Sequence, residues 1–175
     1  MDITVKEKAF AKLNLSLDVM GKREDGYHEM DMIMQSVSLA DNLIIKVISG
    51  SGNISVSTDK SYIPNTEKNL GYQAARAFFD AFGVKNVDVS IKIIKNVPVC
   101  AGMGGGSSDA AAVLRGLNRA LNLRLSLDEL AGQTFEFSDL TVKIHSAQYD
   151  GKYLRLDYVL LGQLEQFAVN MPACP

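Results

Sequence analysis

The amino-acid sequence predicts an α+β fold, and three observations support that prediction. Residues 9–19 and 87–94 alternate between apolar and polar side chains, which is the period of a half-buried strand. Residues 67–82 and the segment from 110 to 121 instead place apolar side chains at helical spacing. Strands come first along the chain and helices follow, so we expect a two-layer α+β domain.

The amino-terminal half contains most of the predicted strands. Residues 9–19 are expected to be half-buried, with Ala9, Ala11, Leu13, Leu15, Leu17 and Val19 on the buried side. Further strands are predicted at 32–39, 43–48 and 54–58, the last one after a turn at residues 50–52.

The helices have recognisable ends. Asn65 or Thr66 is placed to cap the helix over 67–82, and Gly83 is placed to end it. Ser126 and Glu129 have the spacing of a capping box for a third helix, which we expect to end near residues 135–137. Residues 140–159 again favour strands.

Composition excludes several classes of protein. The chain has 175 residues, of which 47% are apolar and 22% charged, as expected for a soluble globular protein with a real core. A net charge of −2 argues against a nucleic-acid-binding surface. Neither a signal peptide nor a membrane-spanning run is recognisable, so we expect a cytoplasmic protein without a membrane partner. The 2 cysteines do not form a disulfide framework, and Cys100 is expected to be a small buried residue.

A glycine-rich segment lies between the strand over 87–94 and the following helix. It contains four glycines within five positions and is followed by two serines and an aspartate: Gly102, Gly104, Gly105, Gly106, Ser107, Ser108 and Asp109. Glycine lets backbone amides approach a ligand closely, and the first amides of a helix attract anions. The segment therefore predicts a site for nucleotide phosphates, with the serine hydroxyls binding phosphate or a Mg²⁺ ion that the phosphate holds.

The segment does not match two other nucleotide-binding motifs. It lacks the lysine of a Walker A motif and the spacing of a dinucleotide-binding fingerprint. A flexible linker, or a tight turn with a serine as a helix cap, is the structural alternative.

Lys12 and Asn14 lie on the polar face of the first predicted strand, about 7 Å apart along it. Lys12 could be a solvated surface lysine. Alternatively, its ammonium could orient an acceptor hydroxyl and stabilise a transferring phosphoryl group.

Three motifs resemble the GHMP kinases, in particular the branch that phosphorylates diphosphocytidyl-methylerythritol, and the resemblance extends over about residues 4–139. The phosphate-binding motif is the longest, and it includes Pro98, Ala101, Met103 and the segment from Gly102 to Ser108. The first motif of the branch is similar to residues 11–17, and its Gly-Tyr-His element is similar to Gly26-Tyr27-His28.

The resemblance implies a fold and a set of functional residues. It implies a ribosomal-protein-like lobe, which is a mostly antiparallel sheet with helices packed on one face. It implies that Lys12 is catalytic, that Asn14, Tyr27 and His28 bind the cytidine-linked substrate, and that Asn69 lies near the adenosine of ATP. For Asn69, an ordinary residue of a first helical turn is the alternative.

The chain departs from the family pattern near residue 139. The family has an aspartate that serves as catalytic base within a glycine- and proline-containing element, and Asp139 stands at the corresponding distance without that glycine or proline. Residues 140–175 resemble no part of the family. We therefore expect an ATP-binding domain over 1–139 and a divergent tail over 140–175, with truncation or a disrupted reading frame as explanations.

The resemblance thus implies an ATP- and Mg²⁺-dependent kinase that phosphorylates the 2-hydroxyl of 4-diphosphocytidyl-2-C-methyl-D-erythritol, with Lys12 and Asp139 acting at that hydroxyl. A catalytically silent ATP-binding module is the first alternative. A homoserine or mevalonate kinase is the second, and the Gly26-Tyr27-His28 element argues against it. RNA binding, suggested by the ribosomal-protein-like architecture alone, is disfavoured by the acidic charge.

Overall fold

A computed structural model describes residues 2–22, 24, 28–126, 129–130, 135–137, 140–149 and 154–161. The elements in these ranges follow the order β1 (Asp2–Lys22), β2 (His28–Ser49), β3 (Ile54–Thr58), α1 (Leu70–Phe82), β4 (Val87–Ile94), α2 (Gly105–Leu121), β5 (Phe135–Phe137), β6 (Leu140–Tyr149) and β7 (Leu154–Leu161).

A four-stranded sheet with the order β1-β2-β4-β3 forms the main layer. The pairs β1–β2 and β2–β4 are antiparallel, whereas β3 runs parallel to β4. The inward side chains of the sheet share one buried cluster with those of both helices. The predicted α+β lobe, mostly antiparallel with helices on one face, is confirmed.

The core follows the period-two pattern of the central strands. Alternate residues of β2 and β4 are buried against the helices, among them Leu43, Ile45, Val47, Val89, Ile91 and Ile93. From the other layer, α1 contributes Phe78 and α2 contributes Val113 and Leu117, all fully buried. These side chains fix the positions of both helices above the sheet.

The outer parts of β1 and β2 extend beyond this core as a two-stranded ribbon, residues 12–22 paired with residues 28–36. Ala9 and Ala11 are buried as predicted, but Leu13, Leu15, Leu17 and Val19 are exposed. The prediction of a half-buried strand is therefore wrong from residue 13 onwards. Alternation identifies a potential buried face, and burial also needs another element to cover that face.

Several element boundaries differ from the predictions. The strands predicted at 32–39 and 43–48 are one continuous strand, β2. Helix α1 is capped by Asn69 rather than by Asn65 or Thr66, because the Asn69 side chain accepts a hydrogen bond from the amide of Gly71. Gly83 ends this helix in the left-handed conformation, as predicted.

The predicted third helix is confirmed only at its start. Ser126 and Glu129 form the reciprocal hydrogen bonds of a capping box, and residues 129–130 are helical. Phe135–Phe137, where the helix was expected to end, is the strand β5 instead.

Strands β5, β6 and β7 form a second, antiparallel sheet. The expected domain boundary after residue 139 falls between β5 and β6, and it stays a prediction. Within the described ranges, no helix has the length and apolar composition needed to cross a membrane.

Candidate nucleotide-binding site

The glycine-rich segment forms a loop that leads from β4 into the amino terminus of α2. Gly102 and Gly104 adopt the left-handed conformation, with φ of 67° and 71°, which side chains other than glycine's adopt at a cost. Gly104 is the N-cap of α2 and, having no side chain, leaves the first amides of the helix without a side-chain cap. These amides lie at the positive end of the helix dipole, so the donor set fits a phosphate group.

Lys12 lies against this loop. Its backbone amide donates a hydrogen bond of 3.0 Å to the carbonyl oxygen of Met103. A Cβ added at Gly104 would lie 3.3 Å from Cγ of Lys12, so the absence of a side chain there permits the close approach of β1. The structure thus brings together the predicted catalytic lysine and the predicted phosphate loop.

The Lys12 side chain is oriented by Asn14. Its Nζ donates a hydrogen bond of 2.8 Å to Oδ1 of Asn14, which confirms that both residues lie on one face of β1. Partial burial lowers the pKa of the Lys12 ammonium from its ordinary value. A partly dehydrated cation gains more from an anionic partner than a fully solvated one does. The Lys12 ammonium has further N–H donors with which to bind such a partner.

The two serines of the loop differ in environment. Ser108 Oγ donates a hydrogen bond of 2.8 Å to the carbonyl oxygen of Phe10, which ties the first turn of α2 to β1. Ser107 is exposed at the start of the helix. The hydroxyl oxygen of either serine still has lone pairs for a metal ion, although the described residues contain no cluster of three or more His, Cys, Asp or Glu side chains arranged to hold a metal.

Other predicted site residues are distributed more widely. Pro98 and Ala101 are exposed along the loop, and Met103 is half-buried. Cys100, expected to be buried, is exposed with a φ of 59°. The turn that exposes the glycine loop exposes this thiol as well.

Asn69 and the substrate-binding residues remain predictions. The buried Asn69 side chain accepts from the amide of Gly71 at 2.9 Å and donates to the carbonyl of Pro64 at 3.0 Å. His28 pairs with Lys22 at the far end of the ribbon, about 33 Å of strand away from Lys12. Tyr27 and Asp139 lie outside the described residues.

A buried charge cluster lies beneath the loop. Lys95 Nζ is 2.5 Å from Oδ2 of Asp41 and 2.6 Å from Oδ2 of Asp109, and all three residues are buried. Asp41 also accepts hydrogen bonds from the backbone amides of Asn96 and Val97.

Two pKa values in this cluster are raised, that of Asp109 because of burial and that of Lys95 in spite of it. Burial raises the pKa of the Asp109 carboxyl to about 7, although Lys95 opposes the shift. Burial also works against the charge of Lys95, but hydrogen bonds from its ammonium to Asp109 and Asp41 outweigh that effect, so its pKa is raised.

Sequence reasoning missed this cluster, although the signal was present. In β4 the inward positions are Val87, Val89, Ile91 and Ile93, and the next inward position is Lys95. In β2 the inward series Val47, Ile45 and Leu43 likewise leads to Asp41. Opposite charges at two neighbouring inward positions predict a buried ion pair.

Residues 69–147 match the profile of the family described as GHMP kinases N terminal domain. A protein of Bacillus pumilus (strain SAFR-032) named 4-diphosphocytidyl-2-C-methyl-D-erythritol kinase is 50% identical over 142 residues, which are 81% of this chain and 48% of that protein. A protein of the same name from Bacillus cereus (strain B4264) is 53% identical over 124 residues, or 71% of this chain and 42% of that protein. The chain therefore spans about half the length of the curated relatives that it matches.

Solved structures support the same fold. A crystal structure of 4-(cytidine 5'-diphospho)-2C-methyl-D-erythritol kinase matches with a TM-score of 0.60 and 37% identity, over 72% of this chain and 44% of that one. Homoserine kinase from Cytophaga hutchinsonii matches with a TM-score of 0.57 over 89% of this chain and 51% of that one, but at 17% identity it supports the fold alone.

Proposed function

We propose that the chain is a kinase of the GHMP family, whose amino-terminal domain profile matches residues 69–147, and that it acts in the ATP-dependent phosphorylation of the 2-hydroxyl of 4-diphosphocytidyl-2-C-methyl-D-erythritol. The observation that carries the proposal is the contact between Lys12 and the phosphate loop at Met103 and Gly104. This contact places a cation beside a set of helix-terminal amides, which is the combination that phosphoryl transfer requires.

The phosphate loop is the proposed binding site for the triphosphate of ATP. The amides of Gly105, Gly106 and Ser107 are the first of α2 and have no carbonyl partner four residues earlier within the helix. Hydrogen bonds from these amides to phosphate oxygens would replace the side-chain cap that Gly104 does not supply. ATP supplies the phosphoryl group, and Mg²⁺ bound through the phosphates, with Ser107 or Ser108, would offset their negative charge.

Lys12 and Asp139 have complementary proposed roles at the acceptor hydroxyl. The hydroxyl oxygen forms a bond to the terminal phosphorus, the bond from that phosphorus to the leaving ADP oxygen breaks, and the hydroxyl proton passes to the Asp139 carboxylate. The Lys12 ammonium, held by Asn14 at 2.8 Å, stabilises the charge that develops on the transferring group. Direct transfer of this kind needs no covalent intermediate on the protein.

The substrate assignment depends on the cytidine end of the acceptor. The curated relatives that are 50% and 53% identical to this chain over the aligned residues are named for a cytidine-linked substrate. We assign Tyr27 and His28 to stacking on the cytosine and hydrogen bonding to its edge. Asn14 is assigned to the substrate side of the site, and we place the reaction in the cytoplasm.

Substrate-dependent release of ADP from Mg-ATP by the purified protein tests this function. We expect Lys12→Ala to lower kcat on the order of 10²–10³-fold, the usual loss when one stabilising group is removed from a transition state. Asp139→Asn is expected to lower it as well. Lys8→Ala is a matched control, because Lys8 is an exposed lysine of the same strand, four residues before Lys12.

The alternatives give different results in the same assay. ATP binding without any ADP release, even with the cytidine-linked acceptor, would overturn the proposed activity and identify an ATP-binding module. ADP release that depends on homoserine or mevalonate instead would reassign the substrate.

A further inference from the structure

Lys95 joins three elements of the fold beneath the phosphate loop. It follows β4, and its ammonium binds two carboxylates. One belongs to Asp41, the residue of β2 just before the stretch paired with β4, and the other to Asp109 in the second turn of α2. The exposed fractions are 0% for Asp41, 7% for Lys95 and 5% for Asp109, so the bridge is shielded from water. An ion pair of this kind is a directional link between sheet and helix rather than a surface contact.

The bridge lies directly under the first helical residue of α2. A Cβ added at Gly105 would lie 3.3 Å from Nζ of Lys95 and 3.2 Å from Cγ1 of Val97. The helix start therefore packs closely on the ammonium, and a shift of the helix away from Lys95 would lengthen the bond to Asp109. The amides proposed to bind phosphate belong to this same first turn of α2.

Stability alone does not account for these three residues. One ammonium offsets only one of the two carboxylates, and Oδ1 of Asp109 is buried without a hydrogen-bond partner among the described residues. Buried ion pairs of this kind are often no more stabilising than apolar residues of the same volume, whereas they do fix one arrangement among several.

We propose that Lys95 is a positioning residue for the phosphate loop: by joining Asp109 to Asp41 it fixes the first turn of α2, so that the amides of Gly105, Gly106 and Ser107 are held in place for a nucleotide phosphate. This inference depends on the nucleotide binding proposed above. Lys95 contacts no phosphate in this role and acts only through the helix.

Two substitutions at Asp109 isolate the link between Lys95 and the helix. Asp109→Ala and Asp109→Asn remove the same charge, but only asparagine keeps an oxygen that can accept a hydrogen bond from Lys95. We expect the affinity for Mg-ATP, measured by calorimetric titration, to be about tenfold weaker in the alanine variant than in the asparagine variant, the size of effect typical of a charge-assisted hydrogen bond. Asp80→Ala, at an exposed position of α1, is the control that should leave the affinity unchanged.

Hydrogen exchange supplies a second measurement on the same variants. The amide of Lys12 is bonded to Met103, and the amide of Ser108 is bonded to Gly104 at 2.9 Å. We expect these two amides to lose protection in Asp109→Ala relative to Asp109→Asn, while the amide of Ile91 in the core keeps equal protection in both. A merely structural role for the bridge would lower the protection of all three amides together.

The two measurements separate failure of this inference from failure of the proposed function. Equal Mg-ATP affinities in the alanine and asparagine variants, within about twofold, would overturn the positioning role. If the wild-type protein binds no Mg-ATP, the proposed function fails, and the exchange of the Lys12 and Ser108 amides then decides the positioning role by itself.

Discussion

The paired strands β1 and β2 are buried at one end and exposed at the other, although apolar residues alternate along both ends. Leu43, at the covered end, is 1% exposed, whereas Leu15, on the ribbon, is 63% exposed. Ile45 and Val47 continue the buried series, and Ile33 on the ribbon is 60% exposed. The difference arises because α1 and α2 pack over the first region and no described element packs over the second.

The same division runs through the candidate site. Where the ribbon joins the covered end, Lys12 contacts Met103, and the loop is tied to β1 through Ser108. At the far end of the ribbon, His28 pairs with Lys22 across the strand pair, about 33 Å of strand away from Lys12. Packing therefore supports the phosphate side of the proposed site, whereas the cytidine side rests on the sequence resemblance.

Replacing a leucine by alanine in each of the two regions tests the comparison directly, and one of these substitutions has the largest expected effect. Leu43→Ala removes a fully buried side chain and should lower the free energy of unfolding by about 3 kcal/mol. Leu15→Ala removes an exposed one and should change it by less than about 0.5 kcal/mol. Urea denaturation of both variants gives the two values, and a loss at Leu15 as large as that at Leu43 would mean that the ribbon is covered in solution.

The sequence was informative wherever a local pattern determines the structure. The bounds of β3 and β4, the end of α1 at Gly83 and the capping box at Ser126 all agree with prediction. It failed at Leu15 and Leu17 because alternation contains no information about which element covers a face. It did not identify Lys95 as a buried residue, because its partner Asp41 is 54 residues away in the chain and local patterns do not pair such distant positions.

The second prediction concerns the charges at the covered end. Because the folded pKa of Asp109 is about 7 and the ordinary value is 3.8, the folded state holds this proton more tightly than the unfolded state does. The resulting stabilisation is complete below about pH 4, is lost as the pH rises towards about 7, and then stays constant. Asp109→Asn cannot ionise, so its stability relative to wild type should rise over that window by roughly 2–4 kcal/mol.

Thermal unfolding of both proteins between about pH 4 and pH 8 measures this difference. Hydrogen bonds from backbone amides lower the pKa of Asp88, and this contribution is lost only at more acidic pH and is common to both proteins. It therefore cancels in the comparison. A stability difference that falls with rising pH would mean that Asp109 is better accommodated as a carboxylate, and that Lys95 outweighs burial.

The smallest effect is expected at the start of α1, the helix that helps to cover the inner strands. Asn69→Ala removes the cap on the amide of Gly71 and should cost about 1 kcal/mol, whereas Asn69→Ser keeps a capping oxygen and should cost only a few tenths. Thermal unfolding measures these costs, and Mg-ATP titration of the same variants tests the predicted contact with adenosine. Since the Asn69 amide is already bonded to Gly71 and to Pro64, we expect the affinity to stay unchanged in both variants. A lower Mg-ATP affinity in both variants would instead mean that Asn69 contacts the nucleotide. The site would then reach from the phosphate loop to the base, and the start of α1 would be part of it.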